Sequence, residues 1–350
     1  MVTIGADLHK RTHTVVAVDE HGRKLAEHTV AATPAGHLAL LRWARERFEA
    51  RSWALEDCRH LSRRLERDLV TAGEPVVRVP PRLMAGVRRG GRERGKSDPI
   101  DALASARAAL REPDLPVATL DGPERELRLL VDHREDLVGE RTRILCRLRW
   151  HLHELMPGEE PKPRTLHRQR ALERLASRLV GLPGPVARIA REQVERVREL
   201  TSDIDRLERE IGVLVAVQAP TLLALEGCGP LTAAKLVGET AGVGRFKSRA
   251  AFARHNGTAP IPVWSGDETH HRLNRGGNRH LNAAIHRIAV TQLRRPGRGR
   301  AYFEKRIAAG DTKREAIRAL RRRISDEVFR RMRQDEALRT TVELPLERAA

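Results

Sequence analysis

The stretch TIGADLHKRTHTVVAVDEHGRKLAEHTVA, residues 3–31, decides the fold predicted for the start of this 350-residue chain. It opens with a short apolar-rich run and continues with the β-branched segment HTVVAV, which ends at Asp-Glu-His-Gly, a sequence typical of a turn. KLAEHTVA then has the length and composition of a returning strand. The stretch therefore predicts three consecutive strands in a meander.

Helices and strands alternate after this meander. The spacing of apolar residues predicts helices over 35–49 and 60–73, and short apolar runs predict strands over 52–57 and 75–80. Three strands in a meander followed by this alternation is the order of an RNase H-like domain, an α/β fold with mixed strand pairing. We assign this predicted domain to residues 1–115.

The rest of the chain is predicted to be mainly helical. Residues 116–218 hold two helical stretches, 123–156 and 166–217, and the second carries a heptad seam. Its positions are Ala190, Gln193, Val197, Leu200, Ile204, Leu207, Ile211 and Leu214. Prolines between the two stretches predict a long antiparallel helical hairpin or coiled coil, a structure that usually serves packing or oligomerisation.

A third predicted domain covers residues 219–300. It begins with LEGCGPLTAAKLVGET, in which a Gly-x-Gly turn precedes a helix of small residues, as in a helix-hairpin-helix that binds phosphate through backbone N–H groups. The segment 255–282 is loop-rich before Asn278, which is a good helix N-cap. Residues 301–350 form a predicted basic helical tail.

The charge distribution predicts a nucleic-acid partner. The chain has a net charge of +19, and residues 245–335 hold 23 basic and 8 acidic residues, a local net charge of +15. A genomic bias towards arginine offers another interpretation, but such a bias would not concentrate the excess in one segment. An acidic membrane is the weaker candidate, because no basic amphipathic anchor stands out.

Composition also bounds the location and the kind of metal site. No apolar run approaches the roughly 18 residues of a membrane span, and no cleavable signal is recognisable, so we expect a cytoplasmic protein with no membrane partner, associated with the bacterial nucleoid when active. Three distant cysteines argue against a disulfide framework and a zinc site. Any metal is therefore expected to bind to oxygen.

Four carboxylates have a joint explanation in such a site. Asp98 precedes Pro99 and is placed as a helix N-cap, with Asp101 in the first turn, which by itself is a structural role. Asp7, on the first strand, and Glu56, at the end of the fourth, would approach them in an RNase H-like sheet, although Glu56 could instead pair with Arg59. Clustered anions repel one another unless cations neutralise them, so Mg²⁺ or Mn²⁺, as two ions, is the expected cofactor.

The sequence resembles a known family in these same segments. IGADLHKRTH, ALEDCRHL and KSDPIDALA resemble the three acidic blocks of the RuvC-like, DEDD-type insertion-sequence transposases, and GCGPLTAAKLVGE through SGDETHHRLNRGGNRHLNAAI resembles their C-terminal domain. The resemblance covers residues 2–300. It implies that the four carboxylates are metal ligands and that a noncoding bridge RNA specifies donor and target DNA. It also implies a homo-oligomer, a dimer or tetramer, in which the serine of one subunit meets the metal site of another.

The resemblance further implies that Ser265 is the nucleophile. One difference is Trp264, where the family commonly has a small residue. Without the resemblance, Ser265 has the character of a turn residue in a Ser-Gly-Asp loop. The basic residues that follow are expected to contact phosphates around the scissile bond, or to act as a generic backbone clamp; they are His270, His271, Arg272, Arg275 and Arg279.

The function predicted from the sequence is therefore that of a DNA transposase and site-specific recombinase that acts through Ser265 and divalent metal. One alternative is a metal-dependent, junction-resolving nuclease in which water attacks the phosphodiester. The other is a non-catalytic nucleic-acid-binding protein whose carboxylates serve only as caps and turns.

Overall fold

The computed structural model describes residues 1–57, 61–81, 83–84, 97–112, 115, 117–118, 122–162, 164–265, 268–272, 274 and 276–343. The chain divides into two compact units, Met1–Asp121 and Gly122–Ala350, and each unit has its own apolar core. The four-domain division given above stays a prediction.

The first unit is a five-stranded sheet with helices on both faces. Its elements are β1 (Val2–Leu8), β2 (Thr12–Val18), β3 (Lys24–Ala31), α1 (Pro34–Arg47), β4 (Arg51–Glu56), α2 (Arg63–Thr71), β5 (Val76–Val79) and α3 (Asp98–Arg111). The strand order is β3-β2-β1-β4-β5, with an antiparallel meander and parallel pairs β1–β4 and β4–β5. The predicted meander and mixed α/β sheet are confirmed, and this order is that of an RNase H-like fold.

Alternation along the strands gives the sheet its two apolar faces. In β1, Ile4, Ala6 and Leu8 belong to the core that contains residues of α1 and α2. The opposite face of the sheet packs on α3, where Val16 and Val18 meet Ala102 and Ala106. Since side chains alternate between faces in a strand, the odd-numbered residues of β1 face α3.

The N-terminus of α3 differs from the prediction. Ser97 is the N-cap residue and its carbonyl oxygen accepts the first helical hydrogen bond, from Asp101 N at 3.1 Å. The assignment of Asp98 as N-cap was wrong, because helical backbone geometry already begins at Asp98 and Pro99 lies in the first turn, where no N–H is required. Asp98 and Asp101 therefore both lie in the first turn of the helix.

The second unit is mostly helical. Its elements are α4 (Pro123–Leu155), α5 (Gln169–Leu179), α6 (Gly184–Gln218), α7 (Pro220–Leu223), α8 (Pro230–Thr240), α9 (Arg249–His255), β6 (Ile261–Ser265), β7 (Glu268–Arg272), α10 (Arg279–Leu293), α11 (Arg298–Ala308) and α12 (Lys313–Glu343). Among the helices of the described residues, none is both long and apolar enough to cross a membrane.

Helices α4 and α6 pack side by side in opposite directions. Arg134 Nε donates to Glu208 at 2.8 Å, and Arg196 Nε to Glu140 at 2.9 Å, so residue numbers rise along one helix as they fall along the other. Six of the eight seam positions are buried, while Gln193 and Leu214 are half-buried. The stretch 166–217, predicted to be helical, forms two helices, because the Gly-Leu-Pro-Gly segment from Gly181 to Gly184 separates α5 from the long part of α6.

The segment predicted as loop-rich contains a hairpin instead. Strands β6 and β7 pair antiparallel, from Ile261 opposite Arg272 to Ser265 opposite Glu268. The segment IPVWS is short and contains a proline, so its sequence does not have a recognisable strand pattern. The N-cap is confirmed: Asn278 accepts hydrogen bonds from His280 N and Leu281 N at 2.9 and 3.1 Å.

Candidate active site

The position of Asp7 depends on a close approach between β1 and α3. A Cβ atom built on Gly5 would lie 2.1 Å from the carbonyl oxygen of Ala102 and 2.4 Å from the backbone nitrogen of Ala106. Only glycine permits backbone contact this tight. The Ser105 hydroxyl also donates to the Ala6 carbonyl oxygen at 3.4 Å. The two elements are thus held in one register, which sets the first turn of α3 beside the end of β1.

Asp7, His9 and Asp98 form a compact group of possible metal ligands. His9 Nε2 lies 3.1 Å from Asp7 Oδ2 and 3.4 Å from Asp98 Oδ1, and one donor atom from each residue fits within 4.8 Å of the others. Asp7 is buried, whereas the side chains of His9 and Asp98 are 51% and 49% exposed. One of the three possible metal-binding side chains is therefore buried, and the other two are open to solvent.

The electrostatics of Asp7 extend this group to Asp101. Burial raises the pKa of the Asp7 carboxyl, His9 opposes that rise, and the negative charges of Asp101 and Asp98 add to it. Asp101 is itself buried, at 8% exposure. The ionised form of Asp7 is therefore costly as the site stands, and a bound cation would remove that cost.

Glu56 ends the strand next to β1. Ala6 is opposite Leu55 in the parallel β1–β4 pair, so the following positions, Asp7 and Glu56, are neighbours across the strands. Ala54 packs with Ala104 on the α3 side, and alternation puts Glu56 on that same face. Asp7, Asp98, Asp101 and Glu56 thus share one edge and one face of the sheet. Arg59, the alternative partner for Glu56, lies outside the described residues.

His9 is a member of this group that was not predicted from the sequence. A signal was available, since residues two apart project on the same side of an extended chain and His9 follows Asp7 at that spacing. A nitrogen ligand is unexpected at a site predicted to bind its metal through oxygen.

Ser265 lies in the second unit, at the end of β6. The base of its hairpin is anchored on the C-terminal end of α9: Asn278 N donates to the His255 carbonyl oxygen at 2.7 Å. Gly257 has a φ of +74°, and a Cβ atom on Gly277 would lie 2.3 Å from Gly257 N. The neighbouring Trp264 is 74% exposed. The base of the hairpin is thus closely packed against the end of α9.

The basic residues predicted to contact phosphate are distributed over this hairpin and the helix after it. His270 and His271 are on β7, opposite Val263 and Pro262. Arg272 ends β7 and Arg279 begins α10, and both are exposed. Arg275 lies outside the described residues. The role of each stays a prediction.

Comparisons with known proteins find transposases. A DEDD transposase family model of the IS110 type matches residues 4–157, and one described as "Transposase IS116/IS110/IS902 family" matches residues 219–304.

Two curated relatives match over most of their length. The insertion element IS116 uncharacterized 44.8 kDa protein of Streptomyces clavuligerus is 30% identical, over 95% of this chain and 94% of the relative. The insertion element IS900 uncharacterized 42 kDa protein of Mycobacterium paratuberculosis is 24% identical, over 92% and 93%. Among solved structures, T. thermophilus RuvC in complex with a Holliday junction substrate is 21% identical with a TM-score of 0.25, over 32% of this chain and 94% of that one.

Proposed function

This chain belongs to the IS116/IS110/IS902 transposase family, and from that premise we propose that it cuts and rejoins DNA by attack of the Ser265 hydroxyl on a phosphodiester. Membership of this family makes the protein an enzyme that acts on DNA. What we propose is which residues act and by which reaction. The metal-binding residues we propose are Asp7, Glu56, Asp98 and Asp101.

The observation that carries the proposal is the group formed by Asp7, His9 and Asp98, with Asp101 close enough to raise the pKa of Asp7. A donor set dominated by carboxylate oxygens fits Mg²⁺ or Mn²⁺. Divalent ions bound there would polarise a phosphodiester and favour the ionised form of an oxygen nucleophile. The carboxylates would hold such ions where β1 and β4 end, and the imidazole of His9, 3.1 Å from Asp7 and 3.4 Å from Asp98, would orient those two carboxylates.

The covalent step conserves the number of phosphoester bonds. The Ser265 oxygen forms a bond to phosphorus while the bond from phosphorus to one bridging DNA oxygen breaks. The serine proton passes to solvent, and the leaving DNA oxygen takes a proton from solvent. The resulting phosphoserine link keeps a phosphoester available, so attack by another DNA hydroxyl can rejoin strands without an external energy source.

The guide and the assembly are also part of the proposal. The net charge of +15 over residues 245–335 supports contact with several phosphate backbones, as donor DNA, target DNA and a bridge RNA would require. A homo-oligomer, as a dimer or tetramer, would bring a serine and a metal site from different subunits together. We place this activity in the cytoplasm, at the nucleoid.

Trapping the covalent intermediate tests the proposed nucleophile. The protein is incubated with the RNA that copurifies with it, labelled donor and target DNA and Mg²⁺, and is then denatured. A labelled protein–DNA adduct is expected from the wild type and from Ser202→Ala, an exposed serine on α6, but not from Ser265→Ala. Asp7→Asn is expected to abolish the adduct, whereas Asp205→Asn, on the exposed face of α6, is expected to leave it unchanged.

The same assay separates the alternatives. Metal-dependent cleavage that produces no adduct and survives in Ser265→Ala would favour a nuclease in which water attacks. DNA binding without any cleavage, and without any effect of Asp7→Asn, would favour a non-catalytic binding protein.

A further inference from the structure

A cavity of about 530 Å³ opens on the second unit between the start of the hairpin and the last two helices. The segment 257–260 forms one side, and α11 with the first half of α12 forms the other. Six arginines line the cavity; they are Arg272, Arg306, Arg318, Arg321, Arg322 and Arg323. No role has been given to this cavity by the catalytic proposal.

Carboxylates neutralise only part of this positive charge. Arg306 pairs with Asp311 at 2.5 Å, and Arg322 pairs with Asp326. Glu315 also lines the cavity, near enough to Arg318 and Arg306 for their charges to act on it. Within the described part of the chain, the other arginines of α12 that line the cavity form no ion pair; they are Arg318, Arg321 and Arg323. Arg323 instead lies over the ring of Tyr302, with its guanidinium carbon 4.1 Å from the ring centre. The cavity therefore has an excess of positive charge on one wall.

Arg321 is held in place with part of its hydrogen-bonding capacity unused. Its Nη2 donates to Asn282 Oδ1, and its Nε is buried without a hydrogen-bond partner among the described residues. Burial, with the neighbouring positive charge of Arg318, lowers the pKa of Arg321. The Nε is too enclosed to reach the cavity, but the Arg321 side chain as a whole is only half-buried, so the rest of its guanidinium can donate to an anion there.

Neutral hydrogen bonds behind Arg321 fix its position. Asn282 Nδ2 donates to the Asn256 carbonyl oxygen at 2.9 Å, and Asn256 Nδ2 donates to the buried Ser325 hydroxyl at 2.8 Å. The guanidinium is thus attached to α10, α9 and α12 through side chains that carry no charge. A cation positioned in this way, with no carboxylate paired to it, is suited to an anionic ligand.

We propose that this arginine cavity binds a phosphodiester of a nucleic-acid strand, with Arg318 and Arg321 contacting the phosphate oxygens. The volume exceeds that of a phosphate alone and accommodates a nucleotide unit beside the Tyr302–Arg323 wall. The inference rests on the proposed function only in that nucleic acid is the partner. It adds a binding site whose two proposed phosphate contacts, Arg318 and Arg321, lie on α12 and are remote in sequence from Ser265.

Arg318→Gln is the most informative variant, because the Arg318 side chain makes no hydrogen bond to another described residue and its loss should spare the fold. Affinity is measured by fluorescence anisotropy across a salt series for three probes of one sequence: a DNA strand, a DNA duplex and an RNA strand. Arg206→Gln is the matched control, since this substitution removes the same charge at an exposed position on α6. Arg321→Gln is measured alongside, with thermal denaturation as a check on folding.

For Arg318→Gln we expect affinity to fall on the order of five- to tenfold, and the slope of log affinity against log salt to fall by roughly 0.7 to 0.9, as for one lost phosphate contact. Arg318→Lys should recover part of the affinity, and Arg206→Gln should behave as the wild type. A loss confined to the RNA probe assigns the phosphate to RNA, and one confined to a DNA probe assigns it to DNA.

Unchanged affinity and slope in Arg318→Gln for all three probes, with binding intact in the wild type, would overturn the cavity proposal alone. A wild type that binds none of the probes would overturn both this proposal and the proposed function. Equal losses in Arg318→Gln and Arg206→Gln would reduce the effect to overall charge and would also overturn the assignment.

Discussion

Replacing Gly5 with alanine should separate β1 from α3 and so disrupt the candidate metal site. The added Cβ would lie 2.1 Å from Ala102 O and 2.4 Å from Ala106 N, and both are backbone atoms of a helix that cannot rotate away. Non-bonded contacts of this kind need about 3 Å or more, so α3 must retreat by roughly 1 Å. Overpacking of a well-packed interface typically costs about 1 to 3 kcal/mol.

Tryptophan fluorescence during urea denaturation reports on this unit. Trp53 is fully buried in the first unit, while Trp150 and Trp264 in the second are 75% and 74% exposed and should change little. We expect Gly5→Ala to lower the free energy of unfolding by about 1 to 3 kcal/mol and to abolish metal-dependent cleavage.

Two further variants sharpen this test. Gly212→Ala is the control, because a Cβ there meets nothing within 4 Å and alanine favours the helix. Removing the side chain of Ala106 in the double variant Gly5→Ala/Ala106→Gly should give little rescue, since the shortest contacts are to backbone. A Gly5→Ala protein with wild-type stability and wild-type cleavage would refute the argument that this glycine sets the position of α3.

Three other predictions follow from buried charges. Burial, with the neighbouring His37, lowers the pKa of His13 to about 4, so the unfolded state takes up the proton first and stability falls as pH drops from 6.5 towards 4. The loss should reach about 3 kcal/mol and be absent in His13→Phe, as measured by urea denaturation at pH 7 and pH 4.5. Lys235→Met removes the buried cation that pairs with Asp132 and Glu135 at 3.0 and 2.9 Å and should cost about 3 to 5 kcal/mol. Lys247→Met, an exposed change, should leave the denaturation midpoint unmoved. Because the pKa of Asp7 is raised, Asp7→Asn should raise the melting temperature of the metal-free protein at pH 7 and remove the stabilisation by Mg²⁺; a lower melting temperature would contradict this.

The first unit could be predicted because its signals are local and strong. Strands β1 to β3 follow one another with β-branched residues and short turns, and the pairing that the structure has is the one that such a meander favours. Asp7 and Glu56 were predicted to be neighbours from the strand order alone. The proximity of Asp98 to Asp7 additionally needed the glycine contact between β1 and α3, which no local pattern indicates.

The second unit was less predictable for equally physical reasons. The hairpin β6–β7 is stabilised by pairing between two short strands, one with a proline and the other rich in polar residues, so neither has a clear strand pattern. The arginine cavity could not be predicted from the sequence for a different reason. Arg318, Arg321 and Arg323 look alike in a helix rich in arginine, and only the packing of α10 and α11 against it distinguishes them from solvated side chains.

The unequal exposure of Asp7 and Asp98 has a consequence for the rate at which a metal ion would bind and dissociate. The Asp7 side chain is 9% exposed and that of Asp98 is 49% exposed, so a cation held between them would have its open coordination positions on the solvent side. Loading and escape would then require only movement of Asp98 and its waters, not opening of the sheet. Exchange of the ion should consequently be faster than global unfolding. One folded molecule would then pass between its metal-bound and metal-free forms many times before it unfolds.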